Sequence, residues 1–238
     1  MTHSETPLRF LASQKAGEVS ALLVRPERAQ SLLVLGHGAG AGMRHAFMHS
    51  ISDQLAERGI ATFRYNFPYI EQGNRRPDVT PLLLATVRRA VETASGAASD
   101  LPLLAGGKSM GGRMTSMAAA EGELSLVRGL VFFGFPLHAA GQPSTSRGEH
   151  LAKVKVPMLF LQGTRDKLAD LTLLRPICAQ LGKRAELHVI EAADHSFHVP
   201  KSSGRDDSQV LAELGDTVLS WASRLDDVKI QRALCKMG

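Results

Sequence analysis

Leu103-Leu104-Ala105-Gly106-Gly107-Lys108-Ser109-Met110-Gly111-Gly112 begins as an apolar strand-like run, breaks into glycines, presents one serine and continues into the helix-like stretch Met110–Glu121. Gly107-Lys108-Ser109-Met110-Gly111 within it is a G-x-S-x-G. Its place between strand and helix is what a nucleophile elbow requires. The reason is steric: a strand that turns sharply into a helix holds the serine backbone in a strained conformation, so its neighbours must lack side chains that would collide. The turn also points the Ser109 hydroxyl above the sheet, at a helix N-terminus whose dipole favours developing negative charge.

Outward from this turn, short apolar runs alternate with helix-like segments. Strands are expected at Ala21–Val24, Leu32–Leu35, Ile60–Tyr65, Pro102–Ala105, Leu130–Phe133, Met158–Leu161 and Glu186–Ile190. Apolar residues recur three and four apart in His45–Arg58, Thr80–Ala94, Met110–Glu121, Leu171–Leu181 and Ser208–Arg224. Alternation of this kind predicts an α/β fold, with a mostly parallel, twisted sheet of about seven strands and helices on both faces. The length of 238 residues suits one α/β domain spanning 1–238. The loops Asn66–Val79 and Leu137–Glu149 follow the C-terminal ends of strands, the edge where open α/β sheets hold ligands.

Composition narrows the function classes. With 44% hydrophobic and 21% charged residues the chain can bury a large core. Met1–Gly17 has no apolar segment of signal-peptide length and no run approaches 18 apolar residues, so neither secretion nor a membrane span is expected and a cytoplasmic location is the default. Cys178 and Cys235 match neither a zinc pair nor a redox C-x-x-C, and both read as reduced thiols. The net charge of +5 is scattered, with short clusters only at Arg75–Arg76, Arg88–Arg89 and Lys183–Arg184, so no nucleic acid partner is expected.

In the elbow's fold the acid follows a late strand and the histidine lies near the end of the chain. After Met158–Leu161 comes Gln162-Gly163-Thr164-Arg165-Asp166, with Asp170 as the fallback acid. After Glu186–Ile190 comes Glu191-Ala192-Ala193-Asp194-His195-Ser196-Phe197-His198, which places His195 at the same sheet edge, with His198 as competitor. His195 would take the Ser109 proton and Asp166 would fix its tautomer. Gly36-His37-Gly38-Ala39-Gly40-Ala41-Gly42 holds four glycines in seven residues, which lets backbone amides converge on one oxyanion; the donors expected are Ala39 and Met110. A phosphate loop is the rival reading, but no glycine stands five residues before Gly107, so the P-loop spacing fails.

Together, Gly107-Lys108-Ser109-Met110-Gly111-Gly112, His37-Gly38-Ala39-Gly40, Gly163-Thr164-Arg165-Asp166 and Asp194-His195-Ser196-Phe197 resemble the α/β-hydrolase superfamily, and more narrowly its small dienelactone-hydrolase-like members. Phe67-Pro68-Tyr69 and Phe135-Pro136-Leu137-His138 are similar to a bacterial subgroup of predicted hydrolases. The resemblance covers nearly the whole chain and implies the fold and a Ser109–His195–Asp166 triad. Dienelactone hydrolases proper use a cysteine nucleophile where Ser109 stands here, which favours a carboxylesterase-like serine enzyme acting on a small acyl substrate. A lactone hydrolase is one alternative. A non-catalytic interaction scaffold is another, since relatives include subunits of chromatin complexes.

Only 24 residues, Gly134–Pro157, separate the expected strands Leu130–Phe133 and Met158–Leu161, which is too short for a helical cap. A shallow pocket is therefore expected, lined by Phe67, Tyr69, Phe135 and Leu137, with His37, Lys108 and His138 as polar contacts; core packing is the bland alternative for the aromatic residues. No cofactor and no metal is expected, because His45 and His49, at helical spacing, lack a third ligand. The basic tail Val228–Gly238 reads as a frayed end, and either a monomer or a homodimer fits the chain.

Overall fold

The computed structural model describes the backbone of residues 4–234 and the side chains of residues 4–225; Cys235 and the end of the basic tail lie outside them. Eight strands form one sheet: β1 (Glu5–Ser13), β2 (Gly17–Val24), β3 (Ser31–Gly36), β4 (Ile60–Tyr65), β5 (Leu103–Lys108), β6 (Gly129–Phe133), β7 (Met158–Gly163) and β8 (Ala185–Ile190). Their order is β1-β2-β4-β3-β5-β6-β7-β8. β3 to β8 pair in parallel, and β1 and β2 add an antiparallel edge. The eighth strand, β1, falls within a segment read from sequence only as lacking a signal peptide. It is an edge strand with just Phe10 and Ala12 buried, so its apolar pattern is weak.

Helices α1 (Ala46–Ala56), α2 (Pro68–Glu71), α3 (Thr80–Ala97), α4 (Met110–Ala120), α5 (Leu171–Leu181) and α6 (Asp207–Leu234) follow the expected segments, with α2 a short addition inside the Asn66–Val79 loop. Alternate residues of the central strands divide between two cores, because successive side chains of a strand point to opposite faces. Leu33, Leu35, Leu104, Val131, Phe133, Leu159 and Leu161 pack with α1 and α6. Leu32, Val34, Leu103, Ala105, Leu130, Phe132 and Phe160 pack with α3, α4 and α5. Both faces are covered, so these strands read as continuous apolar runs.

Parallel pairing brings the C-terminal ends of β3, β5, β7 and β8 to one edge, and the loops carrying Ala39, Ser109, Asp166 and His195 all leave from it. Between β6 and β7 the chain forms a 3₁₀ helix, Ser146–Lys153, packed on α4 and α5, and no cap domain. Among the described residues no helix is long and apolar enough to cross a membrane.

Candidate active site

Ser109 adopts φ 50° and ψ −116°, a conformation that costs a non-glycine residue on the order of 1–3 kcal/mol and persists only where its surroundings over-determine it. Those surroundings are the crossing of β5, α4 and β3. A β-carbon at Gly107 or Gly111 would run into the Gly36 carbonyl, which explains both glycines of the motif. The Ser109 amide donates to the Phe133 carbonyl at 3.1 Å, and its carbonyl accepts from the Arg113 amide at 3.1 Å, starting α4.

His195 Nε2 lies 2.9 Å from Ser109 Oγ, and His195 Nδ1 lies 2.7 Å from Asp166 Oδ2. A carboxylate only accepts, so Nδ1 carries the proton and the Nε2 lone pair faces the serine hydroxyl. The Asp166 side chain is fully buried. Its other bonds come from the Leu168 amide, 2.8 Å from Oδ1, and from the Gln162 side-chain amide. Gln162 Oε1 in turn accepts from the Phe135 amide at 3.0 Å. Gln162 belongs to no motif, and its only signal in the sequence is a buried polar residue closing an apolar strand. Gly163 allows the Asp166 and His195 loops to touch, since a β-carbon there would strike the Ala193 carbonyl. The Arg165 amide joins the same loops by donating to Ala193 at 2.9 Å.

Met110 is the first residue of α4, so its amide has no acceptor within the helix. The glycine loop runs beside it: a β-carbon at Gly38 would sit 3.7 Å from Ser109 Cβ, and Ala39 follows on the exposed side. His37, Tyr69 and Asn66 brace this loop. His37 Nε2 accepts from the Phe67 amide at 3.1 Å and its Nδ1 donates to the Gly38 carbonyl at 2.7 Å. The Tyr69 hydroxyl accepts from Gly40 at 3.1 Å and Asn66 Oδ1 from Met43 at 2.8 Å. Burial pulls the His37 imidazole down to about 4, against the Gly38 bond.

The expected pocket lining is therefore corrected. Phe67, Tyr69, Phe135 and Leu137 are core residues, at most 1% exposed, because the chain beyond each strand end folds down over the α3–α4 face instead of standing above it. His37 has both ring nitrogens engaged. So has His138, whose Nε2 accepts from Asp170 at 2.8 Å and whose Nδ1 donates to Ala139 at 2.9 Å. Lys108 points to the His195 backbone, with Nζ donating to its carbonyl at 2.5 Å. Of the rival acids and bases, Asp170 caps α5 through the Thr172 amide at 2.8 Å, and exposed His198 pairs with Asp207 at 2.9 Å, which raises its pKa. His45 caps α1 through the Phe47 amide.

A sheet of this order, with a strained serine at the turn from β5 to α4 and a histidine and carboxylate joined to it from β8 and β7, is the architecture of an α/β hydrolase. The family model described as alpha/beta hydrolase domain matches residues 29–223, and the chain belongs to that family. Among solved structures it is similar to a dienelactone hydrolase from Anabaena variabilis, with a TM-score of 0.71 at 21% identity over 94% of this chain and 99% of that one. A lidless α/β serine hydrolase from Xanthomonas campestris matches with a TM-score of 0.71 at 20% identity, over 92% and 95%. Est1E from Butyrivibrio proteoclasticus matches at 0.67 and 14% identity, over 91% and 99%.

Proposed function

We propose that the protein is a serine hydrolase that cleaves the ester or related acyl bond of a small substrate through an acyl-enzyme. The observation that carries this reading is the unbroken hydrogen-bond chain from Ser109 Oγ through His195 to Asp166. Ser109 attacks the acyl carbon while His195 Nε2 takes its proton, and Asp166 stabilises the imidazolium. The oxyanion forms against the Met110 and Ala39 amides, where preorganised donors act without reorganisation. His195 protonates the leaving group, then removes a proton from the water that releases the acid. A fluorophosphonate probe should attach to Ser109, and Ser109→Ala should lower turnover of activated esters on the order of 10⁴-fold or more. Equal labelling of wild type and Ser109→Ala would defeat the proposal and favour a non-catalytic scaffold. The dienelactone hydrolase among the similar structures motivates a lactone as second substrate class, separated from esters by assaying both.

A further inference from the structure

We propose that Lys108 is a positioning residue for the base: its ammonium, set against the rings of Phe47 and Phe197, grips the backbone carbonyl of His195 and so sets the reach of the imidazole to Ser109. This rests on the reading of Ser109, His195 and Asp166 as the catalytic groups.

Lys108 closes β5 immediately before Ser109, and its Nζ donates to the His195 carbonyl at 2.5 Å. The ammonium lies 5.7 Å from the centroid of Phe47 and 5.4 Å from that of Phe197, two rings that stack on each other at 5.6 Å. Gly134 leaves the space for it: a β-carbon there would fall 3.1 Å from Nζ and 3.4 Å from two atoms of the His195 ring. Ammonium and imidazole thus share one wall. The need for a grip is local, because the histidine loop contains two residues in the left-handed region, Ala192 at φ 59° and Phe197 at φ 64°. Strain of this kind holds only where tertiary contacts impose it. Lys108 imposes one with a charge-assisted bond, and being adjacent to Ser109 it ties nucleophile and base through one residue.

The grip is sensitive to pH. The charged and titratable groups facing the ammonium are Asp166, Asp194 and His195; α1 contributes the Phe47 ring and the turn after β6 contributes Gly134, neither carrying charge. Burial lowers the Lys108 amine to about 8, opposed by the Asp166 and Asp194 carboxylates. Above that pH a neutral amine remains, which donates more weakly.

In the full-length protein, kcat for a nitrophenyl ester should therefore fall as pH rises through about 8. Lys108→Met should lower kcat at pH 7 roughly 10–100-fold, the scale of a small misplacement of a catalytic group, with KM little changed and the fall above pH 8 abolished. Lys108→Arg should recover part of kcat and move the alkaline fall to higher pH. A Lys108→Met enzyme with wild-type kcat and the same alkaline fall would overturn the proposal. Carbon-13 NMR of labelled lysines supplies a readout independent of turnover: one signal, missing in Lys108→Met and Lys108→Arg, should titrate near 8. If that signal titrates in the ordinary lysine range, the alkaline fall does not come from Lys108 and the pH dependence of the grip is refuted. If the signal is as expected but wild type shows no Ser109-dependent turnover, the hydrolase reading fails and the anchor stands.

Discussion

At Asp166 the side chain accepts from Gln162, Leu168 and His195 with no exposure to water, so each donor matters more than it would at a surface. Gln162→Met would keep the volume and leave both the carboxylate and the Phe135 amide short of a partner. The expected cost is about 1–3 kcal/mol of stability for a buried polar group left unsatisfied. Because a freed Asp166 holds His195 less firmly, kcat should fall with little change in KM; urea unfolding and steady-state kinetics check the two halves. An unchanged kcat would mean that Leu168 and His195 suffice to hold the carboxylate.

The elements around the site explain both the strained turn at Ser109 and the absence of a cap. Gly111 stands where α4 crosses β3, and Gly111→Ala would push the helix from the Gly36 carbonyl. Overpacking of this kind typically costs about 1–3 kcal/mol, and here it displaces Ser109, so labelling of Ser109 should be lost along with stability. Above the elbow, the β6–β7 connection contributes only the 3₁₀ helix Ser146–Lys153. Without a cap, acyl carbons beyond the first few stay in water, and a CH₂ contributes about 0.8 kcal/mol only when fully buried. On nitrophenyl esters kcat/KM should peak at about two to four acyl carbons by that burial argument and then level. A value climbing through long chains would mean that an acyl tunnel forms. Phe67 and Phe135, expected from the sequence to line the pocket, lie in the core, so truncating either to Ala should destabilise the protein by about 3–5 kcal/mol rather than shift the optimum.

For the molecule as a whole, the groups that fold into poor solvent set its response to acid. Burial lowers both His37 and His150 to about 4, with Arg113 adding to the effect at His150. Their ordinary value is 6.5, so between pH 6.5 and 4 the unfolded chain binds protons that the folded chain does not. The stability these two neutral imidazoles permit is complete above pH 6.5 and lost as pH falls toward 4. Each adds about 1.4 kcal/mol per pH unit to the slope where only the unfolded state is protonated. His150 also bonds Ser116 Oγ at 2.7 Å, a contact glutamine can replace, so His150→Gln should remove about half of the two-histidine slope in urea titrations across this range. Beside the antiparallel strands, Arg64 of β4 is 1% exposed and pairs with Glu5 from β1. Glu5→Gln should therefore destabilise by up to about 3–5 kcal/mol, the cost of leaving a buried charge unpaired, read as a lower Tm.

What could be read along the chain was whatever physics makes local. Seven strands and five helices show in apolar periodicity, and the elbow shows in glycine spacing, because steric conflict at Ser109 involves its immediate neighbours. Chain order likewise pointed to the loops of Asp166 and His195, with Asp170 and His198 left as rivals within them, since parallel strands deliver successive loops to one edge. Tertiary structure decided what depends on distant neighbours. Phe67, Tyr69, Phe135 and Leu137 were expected around a pocket and are core, because burial is set by the helices that cover a strand end and not by a residue's own chemistry. His37 and His138 became braces for the same reason: each ring meets a backbone partner about 30 residues away. Strand β1 is an edge strand whose apolar pattern is weak, and the grip of Lys108 on the His195 carbonyl and the bond from the Phe135 amide to Gln162 join residues far apart in the chain that only the folded sheet brings together.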